Sequence, residues 1–481
     1  MIENFGTNVL SYFAANQGWV HLFLWTIFAI GILQNLISAL QLPFAYFELK
    51  RHSQTEDTES NWQLLISEEA PAMSILVPAY NESATIVANV RSMLFVQYPN
   101  LEIVVANDGS TDNTLDELKN AFSLEPVTRA HELVAPHEPI RGVYGSKLYP
   151  NLLVVDKENG GCKADAVNAA LNFSRNPLYC VVDADSLLEP EALLRSVRPF
   201  MEEPDEMVAV GGTIRVLNGC TVENGEIVKF DLPQRFLPLV QSMEYIRAFL
   251  MARLAWSSWG MLSIVSGAFG IFRRDVSLEI GGWSLDTIGE DYDFVVKLHR
   301  YMADKKRAYK MRYVPEPVCW TEAPEDLKIL KSQRTRWQRG ALEVAFKNKD
   351  MVFNPKYGKF GMFAMPNNYL VDVIGPLAEL IGYLVLPLFF FLGWINYPYL
   401  LAFIAIFFVF GTFIGVSTLV LEELELQRSP RASDLLKLGL VAVLENFGYR
   451  QLNSIWRVIG WYQFIRKVEG WGEMTRKGDK K

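Results

Sequence analysis

Three short apolar stretches of this chain each lead directly into polar side chains that could bind or transfer a chemical group. The stretches are Met73–Val77, Ile103–Ala106 and Tyr179–Val182, and they lead to Tyr80 and Glu82, to Asp108, and to Asp183 and Asp185. Short β-branched runs of this kind are typical of buried parallel strands, whose carboxyl ends meet at one edge of a sheet. A single aspartate after a strand is commonly a helix cap, whereas three such strand ends together predict a binding site.

Asp183 and Asp185 alternate around Ala184 in the sequence. In an extended chain this spacing turns both carboxylates to the same face. Hard divalent cations prefer oxygen ligands, and Mg²⁺ or Mn²⁺ usually holds substrate phosphates at the same time. The pair therefore predicts a metal site that serves a nucleotide diphosphate, with solvated turn residues as the alternative.

Two further segments could act on a phosphate or on a hydroxyl group. Gly160 and Gly161 precede Lys163 at the expected start of a helix, where backbone amides and a lysine can hold phosphate. Glu290 and Asp291 follow a glycine-rich segment, and a carboxylate there could take a proton from an acceptor hydroxyl. A simple turn for the glycines and a helix cap for the acids are the alternatives.

Gln333, Arg336 and Trp337 fall at positions i, i+3 and i+4 of an expected helix, so they share one face. Glutamine and arginine side chains can hold pyrophosphate oxygens. The indole ring of tryptophan offers an apolar surface on which a sugar can stack. This helix face is therefore predicted to bind a diphosphate and a sugar.

The elements that must position these residues belong to a region, residues 72–345, with the pattern of a soluble α/β domain. Leu152–Val155 is a fourth short apolar run, and the runs alternate with expected helices at Glu82–Val96, Thr114–Ser123, Lys163–Ser174 and Pro190–Phe200. This alternation predicts a doubly wound sheet with its ligand crevice at the carboxyl ends of the strands. Residues 126–150, which contain four prolines, are expected to be an insertion.

Composition excludes several classes of protein. The chain has 481 residues, of which 50% are apolar and 21% charged, and these values exclude a mostly disordered chain. Its net charge of −8 argues against nucleic acid as a partner. The four cysteines are widely separated and form no CxxC pair, which argues against a disulfide framework and against a structural zinc site.

Apolar segments on both sides of the domain predict a membrane protein. Residues 19–47, 369–395 and 397–421 are each long enough to cross a bilayer. Residues 435–465 are interrupted by polar side chains, so an interfacial, a re-entrant and a membrane helix all stay open.

Basic residues set the expected orientation of these spans. Lys50 and Arg51 directly follow the first span, so residues 1–18 are expected outside the cytoplasm and the domain inside it. Residues 48–71 are then a linker, residues 346–368 an interfacial connection, and residues 466–481 a basic cytoplasmic tail.

In order and spacing, these residues resemble the motifs of family 2 glycosyltransferases, specifically the membrane-embedded processive synthases. The family motifs D, DxD, an acid-Asp pair and QxxRW match Asp108, Asp183-Ala184-Asp185, Glu290-Asp291 and Gln333/Arg336/Trp337. The resemblance covers about residues 72–345 and is closest to poly-N-acetylglucosamine synthases, with cellulose and hyaluronan synthases as further relatives. It implies a GT-A type, Rossmann-like α/β domain with flanking transmembrane and interfacial helices.

The resemblance also implies a role for each site residue. Asp291 would be the catalytic base with Glu290 beside it, and Asp185 would bind Mg²⁺ or Mn²⁺ together with Asp183. The acceptor would meet Gly267, Ala268, Phe269 and Trp337. The donor would be bound by Tyr80, Glu82, Asp108, Lys163, Asp165, Asp183, Gln333, Arg336 and Trp337.

The implied function is inverting, metal-dependent transfer of a sugar from a UDP-sugar, with UDP-GlcNAc as the expected donor. The sugar would be added to a growing β-linked polysaccharide that is exported through the inner or plasma membrane. The expected partners are the UDP-sugar, the polysaccharide, the lipid bilayer and an accessory subunit of the cell envelope. Two alternatives stay open: a single-transfer enzyme that makes a glycolipid, and a catalytically inactive scaffold of an envelope export complex.

Overall fold

The computed structural model describes residues 17–55, 65, 69–223, 225–395, 397–426 and 431–468. Residues 1–16 of the expected extracytoplasmic segment, much of the linker 48–71 and the tail beyond residue 468 lie outside the described residues. The described residues form a large sheet, the helices around it and a group of long apolar helices.

A ten-stranded mixed sheet is the frame of the domain within the described residues. Its order is β3-β4-β5-β2-β1-β6-β11-β8-β12-β7, and β9 and β10 form a separate hairpin. In chain order the strands are β1 (Met73–Ala79), β2 (Leu101–Asp108), β3 (Leu124–Pro126), β4 (Ile140–Ser146), β5 (Leu152–Lys157), β6 (Leu178–Val182), β7 (Leu187–Leu188), β8 (Met207–Val216), β9 (Thr221–Glu223), β10 (Glu226–Lys229), β11 (Phe269–Arg273) and β12 (Lys310–Thr321).

The four strands expected from the sequence, β1, β2, β5 and β6, lie side by side and run parallel. Their aliphatic residues are almost all buried, as expected for parallel strands covered on both faces. The sheet is mixed rather than purely parallel because β11 runs antiparallel between β6 and β8. The carboxyl ends of β2, β1 and β6 nevertheless open at one edge.

Helices connect the strands and continue into the apolar region. The α-helices are α1 (Gln17–Thr55), α2 (Ile86–Leu94), α3 (Thr114–Phe122), α4 (Lys163–Phe173), α5 (Ala192–Glu202), α6 (Phe236–Tyr245), α7 (Leu254–Ser258), α8 (Arg274–Glu279), α9 (Glu290–Asp304), α10 (Leu327–Lys347), α11 (Met365–Asn368), α12 (Gly375–Phe391), α13 (Tyr397–Leu426), α14 (Ala432–Leu444) and α15 (Tyr449–Ile465). Ile246–Arg253, Phe360–Ala364 and Tyr369–Ile374 are π-helical, and Lys349–Met351 and Pro355–Tyr357 are 3₁₀ turns.

The expected insertion at residues 126–150 folds largely as an edge of the sheet. Strand β4 pairs antiparallel with β5, and β3 pairs with β4. The loop between β3 and β4 is fastened to α4, because Asn172 Nδ2 donates to Ala135 O at 2.8 Å and Asn168 Nδ2 donates to Pro136 O at 2.9 Å. The insertion therefore braces the helix that begins with Lys163.

Among the described residues, three helices are long and apolar enough to cross a membrane: Leu22–His52, Phe360–Phe391 and Leu400–Glu423. The second begins before residue 369, where the sequence predicts a span, because helical turns precede α12 without a break. Residues 435–465 do not form a single helix. They contribute to α14 and α15, which are separated by a turn with Gly448 at φ +89°.

Candidate active site

A cleft of ≈ 3770 Å³ opens at the carboxyl ends of β1, β2 and β6. It brings together all but two of the site residues predicted from the sequence. The residues that line it are Tyr80, Glu82, Asp108, Lys163, Asp183, Asp185, Gly267, Ala268, Glu290, Asp291, Gln333, Arg336 and Trp337. The two exceptions are Asp165 and Phe269.

At the end of β1, Tyr80 and Glu82 face the cleft from a tight turn. Asn81 between them has φ +55°, a left-handed conformation that asparagine tolerates. Its Oδ1 accepts a hydrogen bond from Thr111 N at 2.8 Å, which ties this turn to the turn after β2. Glu82 Oε2 accepts from the Thr85 hydroxyl at 3.2 Å, just before α2 begins. Tyr80 remains 49% exposed.

Asp108 is held by a lysine that the sequence did not predict as a site residue. Lys157, the last residue of β5, lies opposite Asp108 in the sheet and donates to its Oδ1 at 2.6 Å. The same oxygen accepts from Gly160 N at 3.1 Å. Both side chains are buried, so water screens this ion pair very little. The orientation of the Asp108 carboxylate is therefore fixed before any ligand binds.

Asp165, which is predicted to contact the nucleotide, does not line the cleft in this structure. Its side chain is buried, pairs with Lys157 and accepts from Glu138 N at 3.0 Å. A Cβ atom on Gly160 would collide with Asp165, so the glycine allows the loop to pass close over it. Asp165 therefore supports the loop before α4.

Lys163 begins α4 and links two sides of the cleft. Its Nζ donates to Gly267 O at 2.8 Å and pairs with the carboxylate of Asp183. Burial alone would lower the pKa of this ammonium group, but the charge of Asp183 beside it raises the pKa above its usual value. Lys163 therefore stays a cation and connects the end of β6 to the segment before β11.

Asp291 lies in the first turn of α9 and faces the same segment. Its Oδ2 accepts from Gly267 N at 3.2 Å, and its Oδ1 accepts from Tyr292 N at 2.8 Å. Burial, together with the charge of Asp291, raises the pKa of the Glu290 carboxyl to about 8. Glu290 is thus mainly protonated at neutral pH, so Asp291 is the better candidate for a base.

Helices α9 and α10 meet at two glycines. A Cβ atom on Gly340 would lie 2.9 Å from the backbone N and Cα of Gly289. Because neither residue has a side chain, the two backbones touch. The start of α9, which carries Asp291, is therefore packed directly against the helix that carries Gln333 and Trp337.

Gln333, Arg336 and Trp337 all project from α10 into the cleft. The Trp337 ring is 44% exposed, and the guanidinium of Arg334 lies 4.5 Å from its centroid. The side-chain amide oxygen of Gln333 is buried without a hydrogen-bond partner among the described residues. A buried acceptor of this kind is costly unless it is satisfied, so it is suited to a ligand with a donor group.

Phe269, which is predicted to contact the acceptor, lies in the core in this structure. It is the first residue of β11, pairs with Val182 of β6 and is 0% exposed. Its side chain is therefore fully covered by protein in this structure. Gly267 and Ala268, just before the strand, do line the cleft.

The side-chain carboxylates of Asp183 and Asp185 are suited to bind a divalent cation together with a phosphate ligand. Both line the cleft, and the Asp183 side chain is 33% exposed. In the part of the chain that the structure describes, no group of three His, Cys, Asp or Glu side chains could hold a metal by itself. Mg²⁺ and Mn²⁺ commonly take only one or two carboxylates, with substrate phosphates and water as their other ligands.

Residues 71–340 match the protein family described as "Glycosyltransferase like family 2". This chain belongs to that family. The match covers more than half of the chain and includes every predicted site residue described above. It confirms that the domain is a family 2 glycosyltransferase and that the protein is an enzyme of this class.

Two bacterial relatives resemble more than half of the chain. The poly-beta-1,6-N-acetyl-D-glucosamine synthase of Staphylococcus epidermidis (strain RP62A) is 27% identical over 291 residues, which are 60% of each chain. The enzyme of the same name from Staphylococcus aureus (strain COL) is 25% identical over 307 residues, 64% of this chain and 63% of the relative. The chain thus matches less than two thirds of the length of either relative.

One solved structure supports the fold. The mannosyltransferase PcManGT from Pyrobaculum calidifontis, solved in complex with GDP-Man and Mn²⁺, superimposes with a TM-score of 0.53. It is 17% identical and covers 92% of this chain and 100% of its own. This likeness confirms the expected α/β fold of the GT-A type.

Proposed function

We propose that this protein is a membrane-embedded synthase that adds N-acetylglucosamine from UDP-GlcNAc to a growing β-linked polysaccharide and exports the product. The observation that carries this proposal is the continuity of the cleft. The same cavity is lined by residues of the glycosyltransferase domain and by residues of the long apolar helices α1, α12 and α13. The names of the two staphylococcal relatives support the choice of sugar.

In the proposed reaction, an acceptor hydroxyl gives its proton to Asp291 while its oxygen attacks the anomeric carbon of the donor. The bond from that carbon to UDP breaks, and UDP leaves on the opposite side, so the configuration inverts. Gly267 N orients the accepting carboxylate by its hydrogen bond to Asp291 Oδ2. The protonated Glu290 adds no second negative charge next to the base.

The donor would be held by positively charged and amide side chains around its diphosphate. Lys163, Gln333 and Arg336 are the candidates, since all three line the cleft. Asp183 and Asp185 would hold Mg²⁺ or Mn²⁺, which when bound supplies positive charge to the leaving diphosphate.

Beyond Trp337 the cavity continues along a polar face of α15. Arg450, Asn453, Ser454 and Arg457 line it at positions i, i+3, i+4 and i+7, which is one side of a helix. Arg457 Nε donates to Gln338 Oε1 at 2.6 Å, so this face joins the helix that carries Trp337. Polar groups among apolar helices are costly and usually mark the path of a polar cargo, which supports export of a sugar chain.

The proposal also assigns a location and partners. Lys50 and Arg51 at the end of the first long helix favour a cytoplasmic glycosyltransferase domain. The protein would then span the inner or plasma membrane more than once. An accessory envelope subunit would receive the polymer on the far side.

A donor panel tests the proposal. Purified protein in nanodiscs would receive Mg²⁺ or Mn²⁺ and one UDP-sugar at a time, and both UDP release and product size would be measured. The expected result is metal-dependent release with UDP-GlcNAc and a high-mass β-linked polymer. A lipid that carries one or two sugars would contradict the synthase proposal and favour the glycolipid enzyme, and no release with any donor would favour the inactive scaffold.

A further inference from the structure

Arg334, the second residue of the Gln333–Trp337 segment, is held by residues from two other helices. Its Nη2 donates to Oε2 of Glu244 on α6 at 2.6 Å. The same oxygen accepts from the hydroxyl of Tyr449, the first residue of α15, at 2.9 Å. All three residues line the cleft, and each is largely buried.

The Arg334 guanidinium also contacts the indole ring of Trp337. The guanidinium carbon lies 4.5 Å from the centroid of the indole ring, within the range of a cation–π contact. Arginine is well suited to this position because its planar fork can stack on a ring and bond a carboxylate at the same time. The ring is still 44% exposed in the cleft.

The network spans two parts of the molecule. Glu244 belongs to α6, which leads into the π-helical turns beside the core, whereas Tyr449 begins the helix whose polar face lines the exit path. Helix α15 also packs on α10 directly, since Thr335 Oγ1 donates to Trp456 O at 3.3 Å. The position of the Trp337 ring therefore depends on how α15 sits against the domain.

We propose that Glu244 and Tyr449 are positioning residues that hold Trp337, through Arg334, as the platform for the acceptor sugar. This inference rests on the proposed function and deepens it, because it assigns acceptor affinity to residues outside the family motif. Loosening the network frees the ring to move, so the acceptor binds less tightly. The donor is affected less, since Lys163, Gln333 and Arg336, the candidates for holding its diphosphate, lie outside this network.

The first test needs no substrate and uses Trp337 fluorescence in nanodiscs. The Trp337 signal is obtained by subtracting the spectrum of W337F in each background, and its quenching by acrylamide is measured. We expect quenching to rise about twofold in E244Q and Y449F, because the ring loses its fixed neighbour. Y449F removes only a hydroxyl group, so it serves as the variant that keeps the fold if E244Q is unstable.

The chain offers a matched control on the other side of the domain. Tyr301 and Arg307 both donate to Glu279 Oε2 at 2.8 Å, which is the same chemistry on an exposed surface. E279Q and Y301F should leave the Trp337 signal unchanged. Equal quenching in all four variants and wild type would overturn the proposal, whether or not the enzyme uses UDP-GlcNAc.

The second test measures the acceptor. With UDP-GlcNAc and a β-1,6-linked N-acetylglucosamine tetramer as the probe, we expect Y449F to raise the acceptor KM about fivefold and the donor KM by less than about twofold. An unchanged acceptor KM despite a mobile ring would overturn the proposed link to the acceptor. Absence of turnover in wild type would contradict the proposed function instead, and the quenching result would still decide the positioning role.

Discussion

Single residues determine how rigidly the cleft presents its carboxylates. Lys157 is fully buried and is shared by Asp108, which lines the cleft, and Asp165, which does not. A buried lysine needs such partners, because an unpaired charge in the protein interior is strongly unfavourable. The pair of contacts fixes the end of β2 and the loop before α4 in one arrangement.

Replacing Lys157 with methionine tests this interpretation. K157M leaves two buried carboxylates without their partner, so we expect a loss of about 3 kcal/mol in the free energy of unfolding. This corresponds to a fall on the order of 10 °C in the midpoint of thermal unfolding. The double variant K157M/D165N, which removes one of the orphaned charges, should recover part of the loss; a K157M protein as stable as wild type would refute the buried ion pair.

At the scale of elements, the contact between α9 and α10 positions the base relative to the sugar platform. Gly289 and Gly340 touch through their backbones, and a Cβ atom on either would lie 3.0 Å or less from the other. Alanine ordinarily stabilises a helix relative to glycine. A destabilising effect of alanine at Gly340 would therefore report the close approach and not helix propensity.

We expect G340A to lower kcat by about one to two orders of magnitude, because a shift of about 1 Å between Asp291 and Trp337 is enough to spoil the geometry of the reaction. The measurement is UDP release at saturating donor. G439A is the matched control, since a Cβ atom on Gly439 of α14 meets nothing within 4 Å. Wild-type kcat in G340A would show that the helices can separate without harm.

Helix α9 also carries a buried histidine that should make stability depend on pH. His299 Nε2 donates to Leu262 O at 2.8 Å, its Nδ1 accepts from the Tyr309 hydroxyl at 2.7 Å, and its ring stacks on Phe360. Burial lowers the pKa of His299 to about 4, from 6.5 in an unfolded chain. Between these two pH values the unfolded chain binds a proton that the folded protein does not, so folding becomes less favourable as the pH falls.

The expected loss between pH 6.5 and pH 4 is about 3 kcal/mol from this residue. Thermal unfolding measured across that range should show it in wild type, and H299Q should remove this part of the pH dependence. H137Q is the control, because His137 lies in the loop of the expected insertion and its Nδ1 donates to Glu138 O at the exposed surface. Identical pH profiles for wild type and H299Q would contradict a buried neutral imidazole.

The sequence predicted these elements unevenly, for physical reasons. All four expected strands are present, because continuous β-branched runs are a local signal of a buried parallel strand. The antiparallel direction of β11 was not predicted, since pairing depends on contacts between residues far apart in the chain. The same limit applies to Phe269. The sequence alone could not show that Phe269 is buried in a strand while Gly267 and Ala268, just before it, line the cleft.

Site residues were predicted where a motif names them and missed where only the fold brings them together. Lys157 ends a buried strand, and its register opposite Asp108 is the signal that reveals its role. Sequence spacing could not separate Asp165, which points into the interior, from Lys163 two residues earlier, which lines the cleft. Glu244 and Tyr449 lie outside every motif, so only the structure associates them with Trp337.

At the scale of the whole molecule, ion pairs join the domain to the long apolar helices. Arg215 of β8 pairs with Glu422 of α13, and His52 Nδ1, at the end of the first candidate span, makes a polar contact of 3.0 Å with Oε1 of Glu316 on β12. Both glutamates are buried, so these contacts persist only while domain and helices stay packed together. In the proposed function, this packing would keep the cavity between the transfer site and the apolar helices continuous.

Filling the exit path should separate these two activities. Asn453 lines the cavity from α15, whereas Trp337 lines it from α10. We expect N453W to leave the initial rate of UDP release within about twofold of wild type but to shorten the product, because a bulky ring obstructs the polymer and not the donor. Product length would be measured by gel filtration, with L452W on the neighbouring exposed position as the control. Polymers of wild-type length from N453W would contradict export through this cavity.

In the proposed reaction, the cleft transfers sugar with Asp291 as the base. The rate of UDP release by D291N tests this role most directly. With UDP-GlcNAc and metal at pH 7, we predict a loss of about a hundredfold or more, with wild-type thermal stability. E290Q should keep most of the activity, since burial raises the pKa of Glu290 to about 8 and this carboxyl is already mainly protonated. Wild-type turnover in D291N would contradict the assignment of the base.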